Sequence, residues 1–491
     1  MDSVAADTSS RRALAFSFLD RYAGLLLAVV SSMIVARLLS PAQIGTYSVA
    51  MLFLSFLSAM RDMGAGQYLV QEPDLTVERI RATWTVQLGL GLGFGVLILL
   101  AALPVSRFYA EPQIRSLLHV LALNFMISPF GSLTYAWLMR EMRFDALAAM
   151  RFTGSLAGFC VSVGLAWRGH GAMSLAYGSV AATLANACVA IAYRPAFFPW
   201  VPGFSDLRRV LTFGGKVSAT TVINSLSYSV PELVLGKVQG LLAVGLYSRA
   251  NGLAAMFNRL VLDATQAVAM PMFAKAAREG SSSNPTFIKA TSYVAAAGWA
   301  FFGILIVLAQ PIVRTMYGVQ WDDSVPLVRA IAVSFAIALP ATFCSTVLMA
   351  GGEVNAVVRL TVITALQYAV LLGVGAALGL QPLGWALVLA SIVGSSVWLL
   401  RSPVIREGAG RHLLAALARS LAVGAAATAA STAGWLWNAD SALLHACAAV
   451  TGVAAGALAF VAAVFVLDHP LRDEFERIGS AVQAHRNRRL A

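Results

Sequence analysis

Apolar residues in this chain of 491 come neither in alternation nor as a single helical stripe. They form long runs with almost no charge, each about 18 to 25 residues, the length that crosses about 30 Å of hydrocarbon. Such runs predict helices that are apolar on every side. We place spans near 14–38, 46–70, 82–104, 116–138, 150–168 and 172–193, then near 210–236, 243–271, 290–313, 326–350, 356–378 and 381–400. A last pair falls near 413–437 and 442–467. The total is about fourteen. The expected fold is an all-α polytopic membrane protein, and its loops are too short to hide a soluble catalytic domain.

The pattern repeats. Arg37, Gly45, Tyr47, Ser48 and Ala50 return as Lys237, Gly245, Tyr247, Ser248 and Ala250, an offset of about 200 residues, too long for a solenoid and suited to a duplicated half-transporter. Fainter echoes join Arg12-Ala13-Leu14-Ala15-Phe16 to Arg209-Val210-Leu211-Thr212-Phe213, and Ala122-Leu123-Asn124-Phe125 to Ala332-Val333-Ser334-Phe335. Six spans per repeat is an even number, so both repeats enter the membrane from one side and their symmetry axis runs along the membrane normal. This predicts two six-helix lobes facing a central cleft. The expected divisions are 1–203, 204–403 and 404–491, the last holding two extra helices and a tail. Tyr193 to Asp206, with Pro195, Trp200, Pro202 and Gly203, forms the linker between lobes, with Trp200 as an interfacial anchor.

Composition sharpens this picture. The chain is 59% hydrophobic and 12% charged, where a soluble domain has about 25% charge. The net charge of +12 reads as cytoplasmic anchoring loops, and no basic stripe interleaved with aromatics points to nucleic acid. With both termini in the cytoplasm, about 23 Lys and Arg fall on that side and about seven on the other. Arg11 and Arg12 before an apolar run imitate a signal peptide, but the hydrophobicity continues along the chain, so the reading is an uncleaved first span. Arg472 to Ala491 reads as a short surface helix. Cys160, Cys188, Cys344 and Cys447 lie in apolar segments without metal or redox spacing and read as small core residues; the scattered histidines offer no zinc site.

Ionisable side chains inside a bilayer cost several kcal/mol unless paired or hydrated, so they are the candidate functional groups. They concentrate in spans one, two, seven and eight: Asp20 and Arg21, Arg61 and Asp62, Lys216 and Glu232, and Arg249, Arg259 and Asp263. Spans three to six carry almost none. If the four charged spans face the axis, Arg21, Arg61, Lys216, Arg249 and Arg259 supply positive charge for an anion such as pyrophosphate, which guanidinium grips in bidentate fashion. Asp20, Asp62, Glu232 and Asp263 are then candidates for coupling to protons or sodium. The alternative is structural: Asp20–Arg21 and Arg61–Asp62 at the water interface, and Arg259 and Asp263 neutralising each other at i,i+4.

The run Gly89 to Gly95 lacks the spacing of a phosphate loop and follows no strand; Gly91 and Gly95, four apart, instead predict close helix packing. Pro129, Pro231, Pro271, Pro311 and Pro340 mark expected bends. No hydrolase triad, zinc-protease motif, Walker loop or glycosyltransferase carboxylate pair is visible, so the expectation is a protein that moves a substrate rather than makes one, without a cofactor or resident metal.

The chain resembles the polysaccharide transporter family, flippases of the O-antigen and exopolysaccharide type within the superfamily that also holds multidrug extruders and the lipid II flippase. The residues carrying the resemblance are Ala36-Arg37-Leu38-Leu39-Ser40-Pro41 with Gly45 and Tyr47, Asp62-Met63-Gly64-Ala65-Gly66, Gly245 to Ala250, Pro271-Met272-Phe273-Ala274 and Tyr317-Gly318-Val319-Gln320-Trp321. The resemblance implies a two-lobed flippase of the bacterial inner membrane. It would carry an undecaprenyl-diphosphate-linked oligosaccharide from the cytoplasmic to the periplasmic leaflet by alternating access, beside a polymerase and export machinery. Arg249 is the candidate cleft residue inside a family motif. A cation-coupled small-molecule exporter, a lipid II flippase and a membrane scaffold for a polymerase are the other readings.

Overall fold

The computed structural model describes residues 23–61, 65–72, 74–198, 200–205, 207, 227–437, 441–477, 480 and 483. Among them no strand occurs; the chain is an all-α polytopic membrane protein. Two compact units divide it, residues 1–245 and 246–491.

The first unit contains α1 (Ala23–Leu38), α2 (Pro41–Arg61), α3 (Ala65–Gln71), α4 (Val77–Tyr109), α5 (Pro112–Ile127), α6 (Pro129–Arg140), α7 (Phe144–Trp167), α8 (Met173–Ala192) and α9, residues 227–238. Helix α10 (Leu241–Phe257) starts in it and continues into the second unit. Local chemistry sets the ends. Thr76 caps α4 by accepting from the Arg79 N–H, and α4 stops at Ala110, in the left-handed region at φ 54°. Pro112 then opens α5, where it forfeits only an N–H that the first turn leaves unpaired anyway. Helices α5 and α6 meet at 46°, with Pro129 at the break. Around Trp84, a buried cluster of Leu69, Ile80, Leu133, Ala136 and Phe198 joins α3, α4 and α6 to the linker. Phe198 therefore plugs the core, while Trp200 is half exposed and stacks under the Arg194 guanidinium at 3.6 Å.

The second unit contains α11 (Asp263–Arg278), α12 (Asn284–Val307), α13 (Ala309–Met316), α14 (Val325–Ala338), α15 (Cys344–Ala350), α16 (Val354–Leu378), α17 (Leu380–Leu400), α18 (Pro403–Arg406), α19 (Gly410–Ser431), α20 (Ala442–Val466) and a short surface helix α21, residues 471–477. Helix α12 is its centre, packed on both α19 and α14. Phe302 of α12 is fully buried and stacks on Phe335 with centroids 5.7 Å apart. On the outside, Leu366, Val370, Val374 and Leu378 form an exposed apolar row at i,i+4 along α16, a surface that hydrocarbon solvates and water does not. Pro271 lies inside α11, and Pro340 in the 3-10 turn that separates α14 from α15.

Nine elements among the described residues are long and apolar enough to cross a membrane, ten if the bent α5–α6 pair is one span. The expected count of fourteen is larger by the segments at 14–38, 46–70, 210–236 and 243–271. These are the four segments that carry the intramembrane charges. The first and third lie partly outside the described residues, and the fourth is interrupted by a π-helical turn, Asn258–Leu262.

Glycine decides two helix contacts in the first unit. A Cβ on Gly45 would lie 1.7 Å from the Leu241 carbonyl oxygen, and a Cβ on Gly245 1.9 Å from that of Pro41. Each repeat glycine thus meets the residue four before the other, so the recurring motif is the point where the first turns of α2 and α10 cross backbone to backbone. Gly91 likewise faces Pro129 and the Phe125 carbonyl, and Gly95 faces Met126, which gives the Gly89–Gly95 run its packing role. The cysteines divide. Cys344 is buried as a small core residue, whereas Cys160 and Cys188 are exposed, because their helix faces turn outward from the unit.

Candidate functional site

In the first unit, helices α2, α3, α4, α6, α7 and α8 line a partly open cleft of about 580 Å³. Its polar lining is Arg61, Gln87, Ser128, Ser132, Tyr135, Arg151, Thr183 and Asn186; none of the described lining residues is acidic. Arg61 ends α2, and its Nη1 donates to Ser128 Oγ at 2.8 Å, at the α5–α6 break. Its guanidinium carbon also lies 5.3 Å from the centre of the Phe125 ring, a cation–π contact that holds the charge at the cavity wall. Gln87, buried within α4, accepts at Oε1 from Ser132 Oγ at 2.7 Å, which leaves its amide nitrogen as the donor. Thr183 Oγ1 donates to Asn124 Oδ1.

Arg151 enters from α7, and Asn186 from α8. Gly154 makes room for Asn186: a Cβ there would sit 2.5 Å from its amide nitrogen. The result is a niche of two guanidiniums, two amides and four hydroxyls. It offers charge for an anion and paired donors and acceptors for hydroxyl groups.

Arg61 stands out in the sequence as a charge beside an apolar run, and Arg151 does not. Arg151 stands at the end of a predicted span, where a lone arginine reads as an interfacial anchor, and its partner in the cavity is ninety residues away in the chain (151 against 61). Glu232 is half-buried on α9 of the first unit. In the second unit, Arg249 is half-buried, with its guanidinium carbon 5.8 Å from the Tyr317 ring and 5.9 Å from Trp321, the latter fully buried. This contact ties two of the sequence motifs together. Beside it, Arg314 holds Asp322 with three hydrogen bonds of 2.7 to 3.0 Å. Arg259 lies on the π-helical turn and Asp263 just after it, both exposed. Asp20, Arg21, Asp62 and Lys216 lie outside the described residues. Among the described residues no three His, Cys, Asp or Glu gather as a metal-binding group.

Apolar helices of bilayer length, with one cleft that carries polar side chains, make this a polytopic fold of the membrane. Solved structures share this architecture: the lipid II flippase MurJ in an inward closed conformation aligns with TM-score 0.73 at 15% identity, covering 94% of this chain and 99% of that one. An inward-facing multidrug resistance transporter of the MATE family aligns with TM-score 0.62 at 17% identity, over 81% and 96%. At these identities the likeness concerns the fold. Residues 34–326 match the family described as polysaccharide biosynthesis protein, and the chain belongs to that family. Its relatives include the succinoglycan biosynthesis transport protein ExoT of Rhizobium meliloti (strain 1021), 26% identical over 339 residues, 68% of this chain and 67% of that protein. The lipopolysaccharide biosynthesis protein WzxC of Escherichia coli (strain K12) is 22% identical over 318 residues, 62% and 63%.

Proposed function

We propose that this protein is a flippase that moves an undecaprenyl-diphosphate-linked oligosaccharide from the cytoplasmic to the periplasmic leaflet of a bacterial inner membrane, for surface or exopolysaccharide synthesis. The observation that carries the reading is a cavity with two guanidiniums and neutral hydrogen-bonding groups, in a member of a polysaccharide biosynthesis family. Sugar hydroxyls cross hydrocarbon at several kcal/mol each when unpaired, and a lining of amides and hydroxyls offsets that cost. Arginine in turn suits a diphosphate. The cycle is alternating access without hydrolysis, with both termini cytoplasmic. Arg21, Lys216, Arg249 and Arg259 join Arg61 as candidates for the anionic group, and Asp20, Asp62, Glu232 and Asp263 as candidates for coupling to protons or sodium. A polymerase and export machinery are the functional neighbours.

The fold likeness to a lipid II flippase favours one second reading, in which the cargo is a cell-wall precursor. The test is lipid extraction from a deletion strain with mass spectrometry of undecaprenyl-diphosphate species, alongside a surface-polysaccharide assay. A complete lipid-linked oligosaccharide that accumulates while polymer disappears supports the proposal. Loss of viability with accumulation of lipid II supports the second reading. Unchanged lipids and normal polymer in a strain with no redundant flippase refute both and leave the small-molecule exporter.

A further inference from the structure

The second unit holds a buried polar cluster that the proposed transport function does not use. His469, Ser292 and Ser420 are 1%, 1% and 0% exposed. Nε2 of His469 lies 3.0 Å from each serine Oγ, and the two hydroxyl oxygens are 2.9 Å apart. Nδ1 accepts the backbone N–H of Leu471 at 3.2 Å, so the ring proton sits on Nε2 and the docked imidazole is neutral. Ser292 belongs to α12 and Ser420 to α19, while His469 follows α20. One side chain therefore ties the chain after the last long apolar helix to two other helices.

Further contacts reinforce it. Tyr293 donates from its hydroxyl to the Pro470 carbonyl at 2.9 Å, and Lys289 pairs with Glu474 at 3.4 Å. Leu471 and Phe475 pack on the Val423, Ala463 and Val464 cluster. We propose that residues 467–477 form a proton-released strap, which clamps α12 to α19 while His469 is neutral and lets go when the ring is protonated.

The geometry gives the reason. A proton on Nδ1 would point at the Leu471 N–H, turning an acceptor into a second donor and leaving a buried cation without a counter-charge. Among the described residues the charges around it do not supply one. Arg419 of α19 is repulsive and Lys289 of α12 is cationic. On the strap, Asp468 is bound to Arg472, and Glu474 to Lys289 and Arg477. Asp473 and His412 instead border a cavity of about 640 Å³ that also touches Ser292 and Pro470, giving water a route to the strap.

Burial first and Arg419 second hold the His469 pKa below its usual 6.5. A histidine lowered in the docked state binds fewer protons there than when released, so docking is strongest above 6.5. It weakens about tenfold per pH unit from there down to the docked pKa.

The test uses the full chain in nanodiscs, its four native cysteines replaced, with a nitroxide on Arg477→Cys read by continuous-wave spin resonance from pH 8 to pH 5. We expect an immobile label at pH 8 and a mobile fraction that grows below 6.5. In His469→Gln, whose amide can serve both serine and backbone, the label should stay immobile throughout; in His469→Arg it should be mobile already at pH 8. An unchanged wild-type spectrum overturns the proposal. So does a His469→Gln variant that follows the wild-type curve, which would place the titrating group elsewhere.

Discussion

Replacing Gly45 by alanine is a one-methyl change with a cost that the crossing of α2 and α10 sets. The new Cβ would stand 1.7 Å from the Leu241 carbonyl oxygen and close to the Gly245 nitrogen, all of them backbone atoms. A carbon–oxygen contact relaxes at about 3.3 Å, so the two helix starts must separate by roughly 1.5 Å. No rotamer change relieves this, because no side chain is involved. Overpacking of this kind costs about 1–3 kcal/mol, and a backbone-against-backbone clash belongs at the upper end. Separation also loosens fully buried neighbours, Val49, Ala50 and Val244. The matched control is Gly252→Ala on α10, where nothing lies within 4 Å of the added Cβ. There alanine should stabilise the helix by up to about 1 kcal/mol. Thermal unfolding of the detergent-solubilised full chain, followed by fluorescence-detected size exclusion, should show Gly45→Ala losing its monodisperse peak several degrees early and Gly252→Ala at or above wild type. Equal melting of the two variants would refute the argument that the repeated motif is a steric crossing.

Arg151→Gln should lower polysaccharide export in a complementation assay at unchanged membrane levels, by at least the loss seen in Arg61→Gln, if the two guanidiniums serve one cavity; full export at Arg151→Gln counts against that cavity. Gly154→Ala should act through Asn186, whose amide it would displace. Its export defect should shrink in the double variant with Asn186→Ala, which removes the clash. Gly303→Ala meets Thr428 Oγ1 at 1.9 Å, a side chain rather than backbone, so Thr428→Ala should restore most of the lost thermal stability. Asp322→Asn removes a carboxylate from three hydrogen bonds of Arg314 and should destabilise the second unit by about 1–3 kcal/mol, read as early melting.

Length and hydropathy were enough to place the membrane-crossing elements, because a run of about 20 apolar residues has one stable form in hydrocarbon, a helix that pairs its own backbone. Each predicted segment from 82–104 through 172–193, and from 290–313 to 442–467, coincides with helices of the fold. The repeat of Gly45 and Gly245 was also legible, since two matching strings need no coordinates to be compared. Their mutual contact was not: it joins residues two hundred positions apart, and only the path of the intervening helices brings Leu241 onto Gly45. The same limit applies to the cavity. Arg61 stands out as a charge in an apolar run, yet Arg151, Gln87 and Asn186 look ordinary in the string, and the hydrogen-bonding niche forms where α2, α4, α6, α7 and α8 converge. His469 shows the point most sharply. In sequence it is one scattered histidine in a polar turn, and burial against Ser292 and Ser420 is what makes its protonation state matter. Hydropathy is a property of each segment and survives in one dimension; a site is a distance between segments, and distances are set by packing.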